Sequence, residues 1–224
     1  MNNESGATMK LTGAIFDLDG TLLDSMPIWA TLGENYLRSK GITPLADVRD
    51  QLKTMNMLQA AEYFQKDYHL TGSANQITHE INTMIEQKYR EEVQLKPDVL
   101  PFLQKLKQEN IKMCIATATD RHLAESALNR LQVADFFSFL LTCTEVGFNK
   151  EGAEIYEKAL ELLHTEKAET VVFEDALHAA KSAKTAGFPV IGIYDASAHA
   201  DAEELKSTAD RYVRSFKECT EYIL

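Results

Sequence analysis

Residues 14–24 read Ala14–Ile15–Phe16–Asp17–Leu18–Asp19–Gly20–Thr21–Leu22–Leu23–Asp24. Two carboxylates two residues apart close an apolar run and are followed at once by Gly-Thr. A strand that stops at Asp17 points that side chain out of its C-terminal end. The turn after it brings Asp19 to the same opening, with Gly20 supplying the backbone freedom. Close acidic groups repel unless a cation or a proton lies between them, so the pair implies a metal site, an acid/base pair, or both.

The rest of the chain supplies a sheet for that edge. Short apolar runs at Lys10–Phe16, Ile111–Ala116, Phe139–Thr142, Thr170–Phe173 and Pro189–Tyr194 have the continuous character of strands buried on both faces. Arg211–Val213 is a candidate final edge strand. Helical spacing lies between them, over Val99–Gln108, Leu123–Leu131, Ala153–Leu163 and His178–Ala186. Asn110 offers a left-handed stop after the first of these helices, and Gly187 closes the last. Alternation of strand and helix predicts an α/β fold, a doubly wound parallel sheet.

From about Met26 to Lys96 the alternation breaks. Helices are expected over Trp29–Ser39, Leu52–Lys66 and Asn75–Glu92, with a short element near Ala46 and punctuation at Gly41, Pro44 and Gly72. The expected organisation is a core of residues 1–25 and 97–224 with a helical cap at 26–96. The alternative is that these helices join the core.

Composition narrows the function. The net charge of −11, from 23 basic and 34 acidic residues, argues against nucleic acid or anionic membrane as the main partner. No apolar run approaches the roughly 18–20 residues that span a bilayer. The opening residues, Met1 to Met9, are polar and lack a signal-peptide pattern, so a cytoplasmic location is expected. Cys114, Cys143 and Cys219 form no Cys-x-x-Cys pair, and Cys114 reads as a reduced core residue.

Asp17–Leu18–Asp19–Gly20–Thr21 resembles the DxDGT signature of the haloacid dehalogenase superfamily. Thr117, after the Ile111–Ala116 run, stands where that family has Ser or Thr. Lys150, in Asn149–Lys150–Glu151–Gly152–Ala153–Glu154–Ile155–Tyr156, resembles its motif lysine, and Glu174–Asp175 its last acidic pair. The similarity runs from Leu11 to about Val213 and is greatest to the branch of β-phosphoglucomutase and small-metabolite phosphatases.

The resemblance implies Mg²⁺ held by Asp17 and Asp175, by the backbone carbonyl of Asp19, and by Glu174 through a water. It implies Asp17 as nucleophile and Asp19 as general acid/base, with Thr117 and Lys150 contacting the transferring phosphoryl group. Such charges suit a phosphoryl transfer, in which a carboxylate attack splits one displacement into two. Standing alone, Lys150 would read as a surface lysine and Glu174–Asp175 as a helix N-cap.

The implied activity is a Mg²⁺-dependent phosphatase acting on a small phosphorylated metabolite, a sugar phosphate among the candidates, as a monomer or weak dimer. In an acidic chain the substrate phosphate must be captured by local positive charge. The alternative is a sugar phosphomutase, from which the sequence departs. Arg49 and Lys53 are the only bases near the Met55–Asn56–Met57 stretch, Asp120–Arg121 replaces a Lys-Asn pair, and Trp29 replaces the hinge histidine. Ala176 and Ala179 replace a Ser and a Gly after the acidic pair.

Asp19 argues against carbon–halogen cleavage, since dehalogenases of the superfamily lack that second carboxylate. It also argues against a phospho-acceptor switch of the receiver type, because it would speed loss of the phosphoryl group. Asp24 and Ser25 read as hinge residues. Trp29 reads as a packing residue of the cap or of the seam between cap and core, Arg121 as either an anion contact or a helix-start surface residue, and His178 as a surface residue or one just behind the site.

Overall fold

The structure, a computed structural model, describes residues 11–52, 55 and 57–223. Met1–Met9, Lys10, Lys53 and Asn56 lie outside the described residues. The chain divides into two compact units, one of residues 1–24 and 94–224 and one of residues 25–93.

The first unit is built on six strands: β1 (Gly13–Phe16), β2 (Lys112–Thr117), β3 (Leu140–Thr142), β4 (Thr170–Glu174), β5 (Val190–Ile193) and β6 (Arg211–Val213). They form one sheet in the order β3-β2-β1-β4-β5-β6, and every pair is parallel. The chain winds outward from β1 in one direction through β2 and β3, and from β4 in the other through β5 and β6. The reversal falls between β1 and β4, the position at which open α/β sheets bind ligands.

Side-chain parity assigns the two faces. Ile15 lies opposite Cys114 and Val172, and all three pack in one cluster with Ala159, Leu163, Ala180 and Ala183. Those three alanines and the leucine come from α8 (Glu154–Leu163) and α9 (Leu177–Thr185). One residue along, Phe16 stacks on Phe173 with ring centroids 4.5 Å apart. Phe102 of α5 (Val99–Gln108) and Phe216 of α11 (Phe216–Ile223) close that second face at 5.6 and 6.2 Å from Phe173. Strands buried on both faces in this way need the continuous apolar runs seen in the sequence.

Asn110 adopts the left-handed conformation, φ 58°, between α5 and β2. Cys114 is fully buried in β2, and burial pushes its thiol pKa up. The sequence placed no helix after Ala186. The structure adds α10 (Ala202–Thr208) and α11, short segments whose few apolar residues carry too little periodicity to read.

The second unit is wholly helical: α1 (Met26–Ser39), α2 (Val48–Leu52), α3 (Met57–Asp67) and α4 (Ala74–Glu91). The expected helix Leu52–Lys66 is two helices, α2 ending at Leu52 and α3 starting at Met57. Ile77, Ile81, Ile85 and Tyr89 repeat every fourth residue along α4 and are buried, the stripe expected of a packed amphipathic helix. Ser73 and Gln76 cap its N-terminus reciprocally, each side chain taking the other's backbone N–H. Tyr36 and Phe64 lie with ring centroids 5.8 Å apart inside the unit, and Tyr36 donates to Glu80 at 2.6 Å. Trp29 donates its indole N–H to the Tyr89 hydroxyl at 2.8 Å and meets that ring edge-on. The tryptophan is a packing residue of this unit.

Within the first unit, the outgoing and returning segments pair with each other. Asp24 N donates to Gln94 O and Lys96 N to Leu22 O, both at 2.9 Å, and Leu23 and Leu95 form an antiparallel bridge. Among the described residues no helix is long and apolar enough to cross a membrane.

Candidate active site

β1 ends between β2 and β4, and the residues immediately past those three ends converge. Asp17 is pinned by its backbone N–H, which donates to Phe173 O at 3.0 Å. Its parity matches Ile15, so its side chain emerges on the α8 and α9 face of the sheet. Lys150, placed just ahead of α8, comes in from that side. Its ammonium donates to Asp17 Oδ1 and, at 2.6 Å, to Glu174 Oε1. Asp17, Lys150, Glu174 and Asp175 are each less than a tenth exposed.

Glu174 is held from four directions. Lys150 and, at 3.1 Å, the Tyr156 hydroxyl donate to Oε1. The N–H groups of Asp175 and Ala176 donate to Oε2 at 3.0 and 3.1 Å. The carboxylate thus fixes the turn ahead of α9 and anchors Lys150 at once. The N-cap position of α9 is Ala176, with no side-chain cap, so the acidic pair is not the helix cap. Asp175 accepts from the Thr21 hydroxyl at 2.8 Å.

Gly20 has φ 84°, and a Cβ there would collide with the Asp175 carboxylate. Only glycine fits where the Asp-x-Asp turn passes this close to the acidic pair. Lys96 ties down the same turn, donating to Gly20 O at 2.6 Å, Tyr194 O at 2.7 Å and Asp195 Oδ2 at 2.9 Å. Asp195 in turn accepts from the Ser197 N–H and hydroxyl. Burial opposes its charge, yet the Ser197 and Lys96 donors hold its carboxyl below the usual range.

The β2 end contributes hydroxyls. Thr117 is buried and its Oγ1 accepts from the Thr119 N–H at 3.1 Å. The Thr119 hydroxyl donates to Asp19 Oδ2. Asp19 is therefore drawn toward β2, while Asp17 is drawn toward Lys150. Two carboxylates only two residues apart are held by different donors.

Charge at this edge is unbalanced. Asp17, Glu174 and Asp175 offer carboxylate oxygens within 4.8 Å of one another, and the Lys150 ammonium contacts two of them. Burial pushes the Asp17 pKa well above the usual carboxylate range; Lys150 works against that, and Glu174 and Asp175 add to it. Burial and Glu174 raise Asp175 to about 7, against the pull of Thr21 and Lys150. Burial alone would lower Lys150, but Asp17 and Glu174 keep it charged, with its pKa above the ordinary lysine value. A crowded, oxygen-only donor set with excess negative charge fits a hard divalent cation.

All six residues singled out in the sequence, Asp17, Asp19, Thr117, Lys150, Glu174 and Asp175, lie at the C-terminal edge of the sheet, at or just past the ends of β1, β2 and β4 or just ahead of α8. Arg121 does not reach it free: it pairs with Glu125 at 3.0 Å and with Glu145, and donates to Leu140 O at 2.7 Å. The Arg121 side chain is a surface ion-pair residue that ties α6 (Arg121–Arg130) to β3. His178 is exposed on α9.

Thr119, Tyr156, Thr21, Lys96 and Asp195 were not anticipated as parts of this edge. Tyr156 sits in the apolar stripe of α8 and Lys96 among loop residues, so neither carries a chemical signal in sequence. Thr119 lies two residues past the strand end that Thr117 marks, where a threonine in a turn carries no signal of its own.

The chain belongs to the haloacid dehalogenase-like hydrolases, whose family model matches residues 14–193. It is similar to a phosphorylated carbohydrates phosphatase of Thermotoga maritima, 25% identical over 79% of this chain and 82% of the relative. It is similar also to a validoxylamine A 7'-phosphate phosphatase of Streptomyces hygroscopicus subsp. limoneus, 29% identical over 86% of this chain and 91% of the relative. In fold it resembles a Thermotoga maritima protein provisionally named a β-phosphoglucomutase. That match has a TM-score of 0.83 and 23% identity, covering 96% of this chain and all of the other.

Proposed function

We propose that this hydrolase is a Mg²⁺-dependent phosphatase of a small phosphorylated metabolite, with sugar phosphates the first class to test, working through a phosphorylated Asp17. The observation that carries the reading is the separation of the two carboxylates of the first motif. Lys150 engages Asp17 and Thr119 engages Asp19, as a nucleophile and an acid/base with different tasks require. The relative named as a phosphorylated carbohydrates phosphatase supports the substrate class.

In this reading an Asp17 oxygen bonds phosphorus while the phosphorus–alcohol bond breaks, and Asp19 gives its proton to the departing alcohol oxygen. Asp19 then takes a proton from water as the water oxygen bonds phosphorus and the bond to Asp17 breaks, which restores both carboxyl groups. Lys150 and the Thr117 hydroxyl neutralise the phosphoryl oxygens. Because Thr117 Oγ1 accepts from the Thr119 N–H, its own proton is kept for donation.

Asp17 and Asp175 would hold Mg²⁺, with the Asp19 carbonyl and, through water, Glu174. When bound there, the ion supplies the positive charge that the three carboxylates lack. The helical unit, 26–96 in the sequence-based division, serves as a cap that excludes water around the reacting centre.

The test is a panel of phosphate esters with purified protein and Mg²⁺, with Asp17→Asn as control. Release of inorganic phosphate by the wild type alone supports the proposal. A wild type silent on the whole panel, or an active Asp17→Asn, refutes it. Isomerised sugar phosphate in place of inorganic phosphate would mark a mutase.

A further inference from the structure

β1 and β2 are neighbouring parallel strands with Phe16 opposite Ile115, so their C-terminal ends leave the sheet side by side. Three residues past the end of β1 stands Asp19, and two past the end of β2 stands Thr119. The two side chains, a hundred residues apart in sequence, meet at that edge with the Thr119 hydroxyl donating to Asp19 Oδ2. The turn carrying Thr119 is itself fixed, because its N–H is spent on Thr117 Oγ1 at 3.1 Å. Asp19 is only partly buried.

We propose that Thr119 is a positioning residue for the acid/base carboxylate, a role that rests on the phosphatase reading above. A donor on Oδ2 holds the carboxyl group in one orientation and leaves Oδ1 as the oxygen that carries the proton. The departing alcohol oxygen then receives that proton from a fixed direction as its bond to phosphorus breaks. Without the hydroxyl, Oδ2 loses this donor and the orientation of the Asp19 carboxyl group is held less firmly. A fixed donor matters most where the leaving oxygen is basic and needs the proton. It matters little where the leaving group departs as a stable anion.

The test compares kcat/KM for a sugar phosphate, whose leaving group is an alcohol, with p-nitrophenyl phosphate, whose leaving group is a stable phenolate. This ratio reports the first transfer and not the later hydrolysis. Thr119→Val should lower kcat/KM for the sugar phosphate roughly tenfold or more and that for p-nitrophenyl phosphate by less than about threefold. Thr119→Ser, which keeps the donor, should restore most of the sugar phosphate rate.

A merely structural role would move both substrates equally. Equal losses, no loss at all, or failure of serine to rescue would overturn the assignment while leaving the phosphatase reading intact. Should Thr119→Val not fold, Thr119→Ala with the same two substrates decides the matter. A wild type that hydrolyses neither ester overturns the phosphatase reading and this role together.

Discussion

Raising the pH from 5 to 8 in the presence of a chelator should destabilise the sheet-bearing unit, and Asp175→Asn should weaken that response. Burial and Glu174 raise Asp175 to about 7 from an ordinary 3.8. Below pH 3.8 the group is protonated in both the folded and unfolded chain and contributes nothing. Between 3.8 and 7 the folded chain binds the proton that the unfolded chain has released, so stability falls as the pH rises. Three pKa units correspond to about 4 kcal/mol at about 1.36 kcal/mol per unit, of which roughly 3 kcal/mol falls between pH 5 and 8.

For a chain of this size that is a drop in Tm of roughly 5–10 °C. Asp17 is displaced in the same direction by its burial and adds to the effect. Mg²⁺ at about a hundred times its dissociation constant should return about 2.7 kcal/mol, because the cation stands in for the proton. Asparagine keeps an acceptor for the Thr21 hydroxyl, so the variant removes the charge without orphaning the donor. The assay is thermal unfolding by circular dichroism across this pH range, with and without Mg²⁺. Identical pH slopes for wild type and Asp175→Asn, or equal stabilisation of both by Mg²⁺, would refute the reasoning.

Two further substitutions test the frame around the site. Gly20→Ala forces a Cβ into a left-handed position and against the Asp175 carboxylate. It should reduce phosphatase kcat/KM by at least roughly a hundredfold and abolish stabilisation by Mg²⁺, while far-UV circular dichroism stays native. Lys96→Met strips the cationic partner from Asp195, whose side chain is 6% exposed and keeps only the Ser197 donors. That should cost about 3–5 kcal/mol in chemical unfolding, and adding Asp195→Asn should recover part of the loss, since the unpaired buried charge is then gone.

The sheet was legible because its strands are buried on both faces. Ile15, Cys114 and Val172 must be apolar to pack on α8 and α9, and Phe16 and Phe173 must be apolar to pack on Phe102 and Phe216. An unbroken apolar run is the outcome. Asp17, Thr117, Glu174 and Asp175 stand out because polar groups at the ends of such runs have no packing reason to be there, whereas Lys150, away from any strand end, stands out only through the family resemblance.

Their supports were hidden. Tyr156 occupies a core position of α8, and only the fold reveals that its hydroxyl reaches Glu174. Lys96 reads as an ordinary charged loop residue until the return of the chain beside Leu22 brings it to Gly20. Thr119 could be assigned only after β1 and β2 were known to be neighbours, since strand order is a non-local property. The break between α2 and α3 leaves no mark in sequence because Leu52, Met55 and Leu58 continue an i, i+3, i+6 apolar pattern across it.

The central claim is that Asp17 carries the phosphoryl group. Acid quenching during turnover of a substrate found in the ester panel, followed by mass spectrometry of the peptide containing Asp17, tests it directly. The account predicts one phosphoryl group on Asp17, removed by hydroxylamine as an acyl phosphate is, and accumulating in Asp19→Asn as its hydrolysis slows. Turnover at the full rate with Asp17 unmodified in both proteins would contradict it.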